Sequence, residues 1–303
     1  MSRRLGWFAV LASCALLGAG CGGDGSKSGD AKPARSATTA QAAAAAFPSG
    51  TTMAALQSRG KLVVGTKFDQ PGFGLKGVSG KVEGFDVEIA KLIAAGIFGG
   101  TAQQAGEKVE FVEAVSKNRE PFIKEGKVDV VVATYTITDA RKMEVDFAGP
   151  YFVARQDIMV KRDNTSIRGV EDLNGKKVCS AQGSTSIKNL QTKAPNADVS
   201  IAFDTYSKCA EALRDGRVAA VSTDDTILAG LVKDSGGDFK LVGAPFSEEP
   251  YGIGLKKGDQ VFRDFLNDRL EDIYRSGEWA AAFQATLGRL GLKTPAPPAV
   301  NRY

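Results

Sequence analysis

VDVVVATYTITDAR, residues 128–141, decides how the chain is read. Its first six residues are apolar apart from Asp129, and the run is too short for a helix, so it predicts a strand buried on both faces. A polar cluster follows at once and places hydroxyls and a guanidinium at the carboxyl end of that strand. Four further runs have the same character: KLVVG at 61–65, KVEFV at 108–112, KKVCS at 176–180 and VAAVS at 218–222. Between them, apolar residues recur at helical spacing, as in Phe85, Ile89, Leu92 and Ile93, or Phe262, Phe265, Leu266, Leu270 and Ile273. Such stripes are core packing. Strands alternating with helices give an α/β fold with mostly parallel sheets. With 303 residues, 43% hydrophobic and 24% charged, the chain has the length for two domains.

The N-terminus follows different rules. Residues 1–4 are basic, residues 5–17 are almost wholly apolar, and small residues precede Cys21, which is the pattern of a signal peptide over residues 1–20. An apolar run of about 13 residues falls short of the roughly 20 that a membrane-spanning helix needs. LLGAGC, ending at Cys21, resembles the bacterial lipobox, whose cysteine is acylated and becomes the new N-terminus; LASC, ending at Cys14, is the alternative. Residues 21–50 are rich in Gly, Ser, Ala, Thr and Lys, so they read as a flexible tether behind a lipid anchor.

Composition excludes several classes of function. The formal charge of +4 falls to +2 once Arg3 and Arg4 leave with the leader, which is no nucleic-acid footprint. The chain has no histidine, so Ser/His/Asp and Cys/His triads and histidine-bound metals are excluded. No GxxxxGK[ST] loop is present, and no cofactor is expected. Cys179 and Cys209 remain as an even pair, and in an exported protein such a pair predicts a disulfide.

In open α/β sheets, ligands sit beyond the carboxyl ends of strands. There KLVVG runs into Thr66 and Lys67, VDVVVA into Thr134, Thr136 and Arg141, KKVCS into Ser184 and Thr185, and VAAVS into Asp224. A guanidinium and hydroxyls suit an α-carboxylate, and a carboxylate suits an α-ammonium, so the set matches a zwitterionic amino acid.

TYTITDARKMEVDFAGPYF at 134–152 resembles the signature of the amino-acid-binding family of ABC-importer solute-binding proteins. GKVEGFDVEIAKLIA at 80–94, NREPFIKEGKVDVVVA at 118–133, EDLNGKKVCSAQGST at 171–185 and EEPYGIGLKKGD at 248–259 extend the resemblance over nearly all of residues 61–290. TKFDQPGFGLK and TDDTILAG look like glutamate-binding lipoproteins of high-GC Gram-positive bacteria. The resemblance implies a two-lobed type II clamshell: residues 51–152 with 248–293 in lobe I, 153–247 in lobe II, two crossover hinge segments and a tail at 294–303. It implies that Arg141, Thr136 and Thr185 hold an α-carboxylate. The Thr134 carbonyl and Asp224 would hold an α-ammonium, and Lys67, Ser116 and Arg119 would face a side-chain carboxylate. The expected ligand is glutamate, with glutamine or aspartate as alternatives. Expected partners are an ABC permease and its ATPase, with the protein a monomer on the outer face of the membrane. A sensor domain and a dehydratase-like enzyme on the same fold are the competing functions.

Overall fold

All five apolar runs contain strands, four of them largely buried, while KVEFV at 108–112 gives a half-exposed edge strand. The computed structural model describes residues 45–303; the expected signal peptide, Cys14, Cys21 and most of the expected tether fall outside the described residues. In chain order the strands are β1 (Leu62–Thr66), β2 (Asp69–Gln70), β3 (Gly74–Lys76), β4 (Val82–Glu83), β5 (Val109–Glu113), β6 (Val130–Val131) and β7 (Asp146–Ala154). They continue with β8 (Gln156–Lys161), β9 (Val178–Ala181), β10 (Ala202–Phe203), β11 (Ala220–Asp224), β12 (Phe239–Leu241) and β13 (Glu249–Leu255). The helices are α1 (Thr52–Arg59), α2 (Phe85–Phe98), α3 (Ala102–Gly106), α4 (Arg119–Lys124), α5 (Asp139–Lys142), α6 (Thr185–Lys193), α7 (Tyr206–Arg214), α8 (Asp225–Asp234), α9 (Gln260–Ser276) and α10 (Glu278–Ala285).

Two five-stranded sheets result, in the orders β5-β1-β6-β13-β7 and β10-β9-β11-β8-β12. In each, four strands share one direction and one runs against them, β13 in the first and β8 in the second. The sheets are therefore mostly parallel, with one reversed strand apiece. Those reversed strands border the two crossings between sheets. The chain passes from β7 to β8 through Arg155 alone and returns through residues 242–248 to β13. Val153 and Ala154 still pair with Pro250 and Glu249 in the first sheet, so the outward crossing lies at Arg155.

The VDVVVA run makes its ladder only at Val130 and Val131. Beyond it, Thr134 takes φ 45°, a left-handed conformation that a β-branched residue rarely adopts, and this turns the chain off the sheet. The first core is an aromatic block in which Phe73, Phe85, Phe152, Tyr251, Trp279 and Phe283 meet mostly edge to face. Its indole is anchored, since Trp279 Nε1 donates to Tyr151 O at 2.8 Å. At the N-terminal edge Phe47 packs against Phe265. The C-terminal tail lies on the first sheet's side, where Asn301 N donates to Gly149 O and Phe147 N donates to Tyr303 Oη.

The expected disulfide is present. Cys179 on β9 and Cys209 on α7 are fully buried with Cα atoms 5.5 Å apart. Closing 30 residues stabilises the fold by about 3 to 4 kcal/mol in the chain-entropy description. A Cys179→Ala, Cys209→Ala chain should therefore unfold at clearly lower urea; an unchanged midpoint contradicts this.

Candidate functional site

Five strand ends deliver the candidate residues to one place between the sheets. β1 leads into Lys67, β5 into a short turn starting at Ser116 and then α4 with Arg119, and β6 into Thr134 and Thr136. From the second sheet, β9 leads into Thr185 at the start of α6, and β11 ends on Asp224 before α8. Ser116, Arg119, Thr134, Thr136, Thr185 and Asp224 line one small cavity, together with Ser184, Ser186, Tyr206 and Ile227. Lys67 reaches this wall through Ser116, its Nζ lying 2.8 Å from the Ser116 hydroxyl. Arg141 lines the adjoining outer cleft with Lys117, Glu120, Gly183 and Lys188.

Thr134 is the strained element. Holding such a residue left-handed costs on the order of 1–3 kcal/mol, so its surroundings must fix it. Its N–H donates to Asp86 Oδ2 at 2.9 Å, and its hydroxyl lies 3.0 Å from Gln70 Oε1. Its carbonyl accepts from Arg119 Nη1 at 3.1 Å. Asp86 is fully buried, and Tyr151 Oη donates to it at 2.7 Å. Burial outweighs these hydrogen bonds and pushes its pKa to about 7.

The cationic wall is buried. Arg119 spends its guanidinium on backbone carbonyls, Ala133 O at 3.0 Å and Thr134 O at 3.1 Å, and lies 4.3 Å from the centroid of the Tyr135 ring. Burial, followed by repulsion from Arg119, lowers the Lys67 ammonium to about 7. Neither cation has an ion pair with a carboxylate among the described residues. Arg141 lies 4.9 Å from the centroid of the same Tyr135 ring, donating to Thr136 O at 2.7 Å, to Gly183 O at 3.1 Å and to Glu120 Oε1 at 3.2 Å.

Opposite stands Asp224. It occupies the N-cap position of α8, yet its side chain caps nothing. Its Oδ2 accepts from the Tyr251 hydroxyl, while buried Oδ1 has no hydrogen-bond partner among the described residues. Burial, then the neighbouring Glu249 charge, raises its pKa to about 8. Glu249 was not anticipated from the sequence. Buried at the return crossing, it accepts from the Thr185 hydroxyl at 2.9 Å, Asn189 Nδ2 at 2.7 Å and the Ser247 hydroxyl at 2.7 Å. Tyr206 also escaped the sequence reading, because neither periodicity nor a motif marks it, while Ser184, read as part of the polar cluster after KKVCS, was given no role of its own.

The cavity thus offers two buried cations on one wall, a buried carboxylate on the other and hydroxyls between. Residues 62–288 match the model of bacterial extracellular solute-binding proteins, family 3. The chain belongs to this family. As a member of family 3 it is a solute-binding protein rather than an enzyme, with the type II architecture. Among its relatives, the ABC transporter glutamine-binding protein GlnH of Bacillus subtilis is 42% identical over 230 residues, 75% of this chain and 81% of that protein. The glutamate-binding protein GluB of Corynebacterium glutamicum is 39% identical over 245 residues, 78% of this chain and 81% of that protein. An ancestral arginine-binding protein solved bound to glutamine superposes with a TM-score of 0.69 at 40% identity, over 76% of this chain and 99% of that one. Among the described residues of this family member, no helix is long and apolar enough to cross a membrane.

Proposed function

We propose that this protein captures an amino acid with an acidic side chain, glutamate, and hands it to an ABC importer from the outer face of the membrane. The observation that carries the reading is the pairing of buried Lys67 and Arg119, without carboxylate partners, against the free Oδ1 of Asp224. A zwitterion bearing a second carboxylate supplies the missing counter-charge at both walls. In this reading Asp224 and the Thr134 carbonyl take the ammonium. Arg141, Thr136 and Thr185 take the α-carboxylate, with Thr185 exchanging its contact to Glu249. Lys67, Ser116 and Arg119 take the side chain. The lobes, residues 51–152 with 248–293 and 153–247, close on the ligand about the two crossings, and the importer reads the closed form.

Glutamine is the second reading, favoured by the names of two of the relatives above. The two ligands separate by proton linkage. A glutamine complex leaves Lys67 near its lowered value of about 7, whereas the glutamate carboxylate holds the ammonium charged. The glutamate complex then carries more protons, so preference for glutamate falls as pH rises above about 7, by up to about tenfold per pH unit. Calorimetric titration of the ligand-stripped protein with both amino acids at pH 7 and pH 9 measures this. A glutamate-to-glutamine ratio independent of pH removes Lys67 from the side-chain site.

The anchor is part of the same proposal: the lipobox-like ending at Cys21 and the polar residues behind it support acylation there. Mass spectrometry of the membrane-bound chain should find a diacylglyceryl Cys21 peptide; a lipid on Cys14, or none, overturns it.

A further inference from the structure

Outside the ligand cavity, the two sheets' flanking elements meet at a second place. Helix α7 belongs to the second sheet, and its N-cap residue Thr205 makes no capping bond with its own helix. Asp69 of β2 does so instead, across the cleft: Oδ2 accepts from Tyr206 N at 2.8 Å and from Ser207 N at 3.4 Å. A carboxylate at a helix N-terminus satisfies orphan N–H groups and meets the positive end of the helix dipole. Beside it, Gly230 of α8 packs on the loop after β2, where a Cβ would stand 2.3 Å from Pro71 O. Gly230 is an interior helical residue, so its own helix gains nothing from glycine. Lys233 Nζ, one turn further, donates to Arg289 O on the first sheet's side.

We propose that Asp69 and Gly230 form a latch that sets how readily the lobes close, and through closure the affinity for every ligand alike. Asp69 is a positioning residue. It lies outside the cavity lining and acts by capping α7 only when the lobes meet. Gly230 is the space that lets α8 seat against Pro71. The inference rests on ligand capture between the closing lobes. A contact made only on closure adds its free energy to binding without reading the ligand's side chain.

The test is calorimetry with glutamate and glutamine on three variants, with small-angle scattering of each chain with and without the amino acid. Asp69→Ala should weaken glutamine by about 2- to 30-fold, as expected for a lost cap, and glutamate by at least as much, because the Asp69 charge also favours the charged Lys67 ammonium, and Asp69→Asn, a comparable cap, should restore most of the glutamine loss. Gly230→Ala should weaken both by about 5- to 150-fold, as for an overpacked contact, while leaving thermal stability of the ligand-free chain equal or higher because alanine favours the helix. A changed glutamate-to-glutamine ratio in Gly230→Ala, unaltered affinity, or Asp69→Asn weakening glutamine as much as Asp69→Ala overturns the latch. If the parent chain binds no amino acid, the capture reading fails separately. Scattering then decides the latch: a Gly230→Ala chain no more open than its parent removes it.

Discussion

Asp224→Asn is expected to abolish useful affinity for any amino acid while making the ligand-free protein more stable. Leaving a desolvated ammonium without its partner costs about 2–5 kcal/mol, a loss of roughly 30- to several-thousand-fold. The asparagine keeps the shape and can still meet the Tyr251 hydroxyl, so the loss is electrostatic rather than steric. The stability gain has a definite pH window. Burial raises the Asp224 pKa from 3.8 to about 8, so between these values the folded chain holds a proton that the unfolded chain has released. Stability attributable to this group is therefore full below pH 4 and is lost as pH rises through about 8. The variant should melt at a higher temperature than the parent at pH 9 and at the same temperature near pH 4. A variant that still binds glutamate within a few-fold of the parent removes Asp224 from the ammonium site.

Lys67→Met should separate the two ligands. Methionine fills similar volume, removes a buried charge and spares the backbone contacts of Arg119. If Lys67 faces the side-chain carboxylate, glutamate loses about 30-fold or more, because its acid is left desolvated against an apolar thioether. Glutamine, carrying no charge there, should lose less than tenfold. The same change in Arg119 reads differently, since Arg119 also holds the Thr134 carbonyl in its left-handed conformation. Arg119→Met should therefore weaken both ligands and lower stability as well. Parallel titrations check this, and equal losses for both ligands in the Lys67 variant reverse the assignment.

How much of this was legible in the sequence follows from how local each feature is. The rule that ligands gather at strand carboxyl ends needs only the order of apolar runs and polar clusters, and it brought Thr134, Thr136, Thr185 and Asp224 to one cavity. The disulfide needed only parity and the expectation of export. The placement of Ser116 and Arg119 came from the family resemblance, since a short polar turn after β5 carries no periodic signal. Glu249 and Tyr251 sit in a stretch that reads simply as a strand; their roles depend on Thr185, Asn189 and Asp224, 27 to 64 residues away. The same holds for Asp69, whose helix partner lies 137 residues further along the chain. The shortness of β6 was hidden too, because the strain at Thr134 is imposed by Asp86, Gln70 and Arg119 rather than by its sequence neighbours.

A crystal structure of the protein grown with glutamate tests the central claim most directly. The account predicts the amino acid between the two sheets, its ammonium about 2.7–3.1 Å from Asp224 Oδ1, and its side-chain carboxylate within the same range of Lys67 Nζ or Arg119. An amino acid bound elsewhere, or one whose ammonium lies on the Lys67 side of the cavity, contradicts it.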